Sequence, residues 1–137
     1  MGPRLRLLRN ILHARSLAVS EPFGLPTGSL TIMCLIAANP GNSQKQLADW
    51  AGITSPGLVG VVDELERRGL VARVRSLTDR RRNSLVLSEE GERTMQALLA
   101  EVSLIEAPIR DALGPADMRR LIDLIDRALQ SMQQPKA

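Results

Sequence analysis

Aromatic side chains are nearly missing from this 137-residue chain: Phe23 and Trp50 are the only two, and tyrosine is absent. That removes the stacking platforms on which single-strand and RNA binders rest their bases. Cysteine is nearly missing too. Cys34 alone excludes an internal disulfide and a cysteine-rich zinc site. Within the apolar run Ile32-Met33-Cys34-Leu35-Ile36 it reads as a small core residue of raised pKa rather than a redox sensor. His13 is the single histidine, so a histidine metal centre and a Ser-His-Asp hydrolase both lack their parts. The expectation is a non-enzymatic protein with no metal and no cofactor. No apolar run approaches the roughly 20 residues that cross a bilayer. Met1-Gly2-Pro3-Arg4 leads into no continuous apolar stretch of the kind a secretory leader needs. A cytoplasmic protein without membrane contact is therefore expected.

What is present is a mild basic bias, concentrated in one place. The net charge is +3 and the pI about 10.0. Between Glu64 and Arg82, seven arginines face Glu64, Glu66 and Asp79, a local surplus of four that exceeds the total. Such a cluster suits a polyphosphate surface, although a solvated arginine-rich loop has the same composition. Hydrophobic residues at 44% and charged residues at 24% supply a globular core, and the length suits one domain.

The hydrophobic periodicity predicts a mainly α protein with one small β-hairpin. Leu5, Leu8, Ile11, Leu12 and Leu17 mark an amphipathic helix over 4–19, ended by Glu21-Pro22-Phe23-Gly24-Leu25-Pro26. A buried helix is expected from about Thr27 to Ala38. Ser43 with Gln46 forms a capping-box pattern that opens a short helix over 44–51, and Gly52 suits the left-handed turn that ends it. Ser55-Pro56 reads as cap and first helical residue of the next helix. Its Leu58, Val61, Val62 and Leu65 form one core-facing stripe, and Gly69 closes it. Two strands over 70–75 and 84–87 flank the polar loop 76–83, which suits a hairpin tip. Ser88 then caps a long helix to about Leu113, with a kink expected at Pro108, and Gly114-Pro115 separates a last helix carrying Leu121, Ile122, Ile125 and Leu129.

Residues 44–65 meet the demands of a helix-turn-helix, with Ala48 where the helices cross, Gly52 at the turn, and Leu47, Ile53, Leu58 and Val61 as shared core. The run Val62-Asp63-Glu64-Leu65-Glu66-Arg67-Arg68-Gly69-Leu70-Val71, then Asp79-Arg80-Arg81, then Leu87-Ser88-Glu89-Glu90-Gly91 carries a family likeness. Residues 40–91 resemble the winged helix-turn-helix of the MarR (multiple antibiotic resistance regulator) family of bacterial transcription factors. Ser88 stands where the family's pattern has threonine. The resemblance implies that Arg81 enters the minor groove as wing-tip arginine, that Asp79 orients it, and that Arg80 and Arg82 meet phosphate. At the start of the short helix, Ser43, Gln44 and Lys45 suit a phosphate.

Ser55, Pro56, Gly57, Val59 and Gly60 form the exposed face of the recognition helix. This departs from the family's usual polar side chains: Ser55 alone offers a hydrogen bond to a base edge, and Val59 a contact to a thymine methyl. His13 and Arg15 are candidates for binding an anionic effector.

The architecture so read is a winged helix-turn-helix over about 27–91 within one domain of 1–137, with helical dimerisation regions at about 4–20 and 92–132. The terminal helices carry more apolar face than a small core covers, so a homodimer is expected, setting two recognition helices about one DNA turn apart. The resemblance implies a sequence-specific regulator of transcription, a repressor in most of the family. It would bind double-stranded DNA at a pseudo-palindromic operator and be released by a small aromatic or phenolic effector. The competing reading is a winged-helix protein-interaction module that docks an acidic partner without operator specificity.

Overall fold

The computed structural model describes residues 1–75 and 83–133. Helix α1 (Gly2–Ser20) is followed by a 3-10 turn (Glu21–Phe23), then by α2 (Ser29–Ala38), α3 (Gln44–Ala51) and α4 (Ser55–Arg67). Strands β1 (Val71–Arg75) and β2 (Asn83–Leu87) come next, and α5 (Glu89–Gln133) closes the chain. The order is the one expected, and the fold is a winged helix-turn-helix between terminal helices. The expected loop tip over 76–82 lies outside the described residues.

Several boundaries differ from expectation for identifiable reasons. α2 starts at Ser29 rather than Thr27, because Gly28 takes φ 87 and the Ser29 hydroxyl and amide both turn back to the Pro26 carbonyl, at 2.6 and 3.1 Å. Leu70 belongs to the end of α4, not to β1. Its amide donates to the Leu65 carbonyl at 2.9 Å while Gly69, at φ 71, donates to Glu66 at 2.9 Å, the paired bonds of a Schellman motif. Near Pro108 the backbone of α5 keeps helical angles, and the break falls instead at Gly114 (φ 70, ψ 171), a conformation few side chains tolerate. The long helix and the last one are thus separated where Gly114-Pro115 predicts.

The two strands pair antiparallel from Val71 opposite Leu87 to Arg75 opposite Asn83. One core lies beneath them. Ile32, Met33 and Ile36 of α2 meet Leu47 and Ala48 of α3, Leu58, Val62 and Leu65 of α4, Leu85 of β2 and Met95 of α5. Each large side chain so buried contributes about 1.5–3 kcal/mol, and together they hold α3 and α4 against α2. The terminal helices differ. α1 has no buried residue and packs chiefly along α5 and the turn after itself. Leu7 is 61% exposed on α1, and Ile122 and Leu129 are about half exposed on the last part of α5.

Candidate nucleic-acid interface

The helix-turn-helix is built by local hydrogen bonds that its sequence dictates. At the start of α3 the Ser43 amide donates to Gln46 Oε1 at 3.0 Å and the Gln46 amide donates to Ser43 Oγ at 3.3 Å, closing the expected capping box. Gly52 ends α3 at φ 67. The next helix is capped by Thr54, not by Ser55: Thr54 Oγ1 accepts from the Gly57 amide at 3.2 Å. Pro56 therefore sits second in the helix, where its missing N–H still costs nothing, and the Ser55 hydroxyl is released from capping.

Leu58, Val62 and Leu65 of α4 are buried and Val61 is partly so, as the stripe predicts. Ile53 departs from its expected core role. It is 39% exposed at the rim of a small hollow beside α2. The opposite face of α4 carries Ser55, Pro56, Gly57, Val59 and Gly60, all exposed, beside exposed Lys45 at the start of α3. A Cβ added at Gly60 would meet nothing within 4 Å, whereas one at Gly57 would press on Thr54 Oγ1 at 3.1 Å.

Three arginines of the basic cluster pair with nearby acids. Arg67 and Arg68 both grip Glu64, at 2.7 and 2.6 Å, and Arg68 also donates to the Phe23 carbonyl at 3.2 Å. These hydrogen bonds hold the Glu64 carboxyl well below the usual range, at about 2. Arg73 of β1 reaches back to α4, bonding Asp63 Oδ1 at 2.5 Å and also Glu66. The hydrogen bond to Asp63 is the main reason its guanidinium is held further towards the charged form. Arg68 and Arg73 therefore tie α4 to its neighbours, while Arg67 pairs within its own helix. Asp79, Arg80, Arg81 and Arg82 lie outside the described residues.

Sequence reasoning missed the Arg73 brace, because it joins residues seven and ten apart across a helix–strand corner where no periodicity reports it. It also missed what Gly91 does. Ser88 Oγ accepts from the Gly91 amide at 2.9 Å and donates to the Gly69 carbonyl at 2.6 Å, while the Ser88 amide donates to Leu70 at 3.0 Å. A Cβ at Gly91 would fall 2.0 Å from the Leu70 carbonyl oxygen. The first turn of α5 is thus pressed against the exit of α4, locking the base of the wing to the recognition helix.

A cleft of about 470 Å³ lies above this unit, between the end of α1, the 21–28 segment, the start of α2 and the middle of α5. His13 lines it and Arg15 does not. Cys34 is half-buried against the core, and burial pushes its thiol up.

Two helices at a tight turn, a braced hairpin and apolar terminal helices define a winged helix-turn-helix protein of the DNA-binding class. The chain belongs to the MarR family: the family's model matches residues 23–82. Its structure is similar to that of NadR in complex with 4-hydroxyphenylacetate, at 30% identity over 91% of this chain and 89% of that one, with a TM-score of 0.81. It is similar to CouR from Rhodococcus jostii RHA1 bound to p-coumaroyl-CoA, at 28% identity over 99% and 93%, with a TM-score of 0.82. The transcriptional repressor CouR bound to a 23-mer DNA duplex matches at 29% identity over 93% and 91%, with a TM-score of 0.78. Among the described residues no helix is long and apolar enough to cross a membrane.

Proposed function

We propose that this protein is a homodimeric, ligand-responsive repressor of transcription that acts on double-stranded DNA in the cytoplasm and has no catalytic activity. The single domain spans 1–137. The observation that carries the reading is the exposed small-residue face of α4, held rigidly beside a braced hairpin, in a chain whose neighbours include a repressor on duplex DNA. A face of Ser55, Pro56, Gly57, Val59 and Gly60 lets the helix backbone approach the floor of the major groove closely. Ser43, Gln44 and Lys45 at the start of α3 take a phosphate, as do Arg80 and Arg82, while Asp79 orients Arg81 into the minor groove.

The effector occupies the cleft under α1. NadR and CouR hold a phenolic acid and a phenolic thioester, and a cleft of this size suits one aromatic ring with a short substituent. Release from DNA follows if the occupied cleft favours a spacing of the two lobes that no longer matches the half-sites.

Since the α4 face offers few hydrogen bonds, specificity leans on DNA shape and on the wing. Arg81→Ala is expected to weaken operator binding about tenfold or more, and Ser55→Ala by less. Equal losses in a binding assay at one salt concentration contradict that ordering. An acidic-partner module would instead show no preference for a footprinted operator over random duplex. A regulator prefers its operator by roughly a thousandfold or more.

A further inference from the structure

The effector reading leaves open which chemistry the cleft selects, and its lining is specific about charge. His13, Ser16, Ser20, Glu21, Thr27 and Thr31 are the side chains that bring polar groups to it besides Ser29. The Ser29 hydroxyl is already committed to the Pro26 carbonyl at 2.6 Å, and Ser20 makes no side-chain cap bond. No lysine or arginine is among the described lining residues, and Arg15, on the same helix as His13, does not line the cleft. Among the described lining residues Glu21 is the only acidic one. The floor of the cleft is aliphatic, from Leu17, Leu25, Leu30, Leu98 and Val102.

A site of this make-up has hydroxyl groups to donate to and accept from a ligand, an apolar floor for a ring, and a carboxylate that repels an anion. We infer that the cleft takes an uncharged phenolic molecule carrying a hydroxyl or amide group and discriminates against the corresponding carboxylic acid, with Glu21 as the residue that rejects the acid. The preferred ligand is neutral, unlike the 4-hydroxyphenylacetate held by NadR. This inference rests on the proposed effector cleft. In physical terms it is specificity by exclusion, in which an unpaired like charge sets the difference between two ligands of equal size.

The matched pair 4-hydroxyphenylacetamide and 4-hydroxyphenylacetate tests it, titrated calorimetrically into the full-length protein. The amide is expected to bind about fivefold tighter than the acid, which is about 1 kcal/mol. In Glu21→Gln, an exposed and isosteric change, the acid gains affinity and the gap closes to less than about twofold. Equal or tighter binding of the acid by the unaltered protein overturns the proposal. So does an unchanged preference in Glu21→Gln, and so does the failure of both compounds to bind. Operator retention measured in the same samples separates the two readings. If the amide binds with the expected preference yet DNA stays bound, the charge selection stands and the effector reading falls.

Discussion

Two glycines in this chain look alike in the sequence and behave in opposite ways. Gly60 sits mid-helix in α4 with open space where a Cβ would go. Gly60→Ala is therefore expected to raise stability by about 0.5–1 kcal/mol, from the helix propensity gained, while placing a methyl group on the proposed groove face. Gly91 has no such freedom, since a Cβ there collides with the Leu70 carbonyl at 2.0 Å. Gly91→Ala is expected to cost about 3 kcal/mol. Urea denaturation at one fixed protein concentration reads both, and a tolerated Gly91→Ala or a destabilised Gly60→Ala contradicts the packing described. At this scale the sequence was only partly informative. Ser43, Gln46 and Gly52 announce their roles because capping and left-handed turns are local chemistry. Thr54 and Ser55 are both good caps side by side, and only the bond to the Gly57 amide decides between them. The burden on Gly91 comes from a segment 21 residues earlier, which no local rule reports.

Among the elements, the junction of α4 with the hairpin matters most. Its Schellman ending, the Ser88 bridge and the brace from Arg73 to Asp63 and Glu66 all set the angle at which the wing leaves the recognition helix. Exposed or half-exposed ion pairs contribute roughly 0–1 kcal/mol each, so the brace adds little to overall stability. Its consequence lies in geometry. Arg73→Ala is expected to lower stability by about 1 kcal/mol or less, yet to weaken operator binding about tenfold by loosening the wing. Parallel denaturation and DNA titration check this, and a variant that binds DNA normally contradicts the positioning role. The elements themselves were legible from periodicity, since α4 has a clean stripe and the strands are short apolar runs around a polar loop. Their ends were less so. Gly28 delays α2, and Leu70 is claimed by a helix end although its neighbours alternate like a strand. The pairing of Arg67, Arg68 and Arg73 with acids could not be read from composition, which does not distinguish a paired arginine from a free one.

For the molecule as a whole, the division of apolar surface is the organising fact. The middle of the chain buries its core within itself, while α1 and the last part of α5 leave leucines and isoleucines open along their lengths. In the proposed dimer a second copy would cover such surface and set two α4 helices on one side of the assembly. The exposed apolar stripes were legible early, on helices that a core of this size has no room to bury. The account then requires two half-sites in phase on the DNA. Once an operator has been footprinted, inserting about half a helical turn (~5 base pairs) between its half-sites rotates one away from the dimer. Affinity is predicted to fall about a hundredfold towards the random-duplex value and to recover in part when a full turn is inserted. Binding that is indifferent to the half-turn insertion would contradict a rigid dimer reading DNA through paired recognition helices.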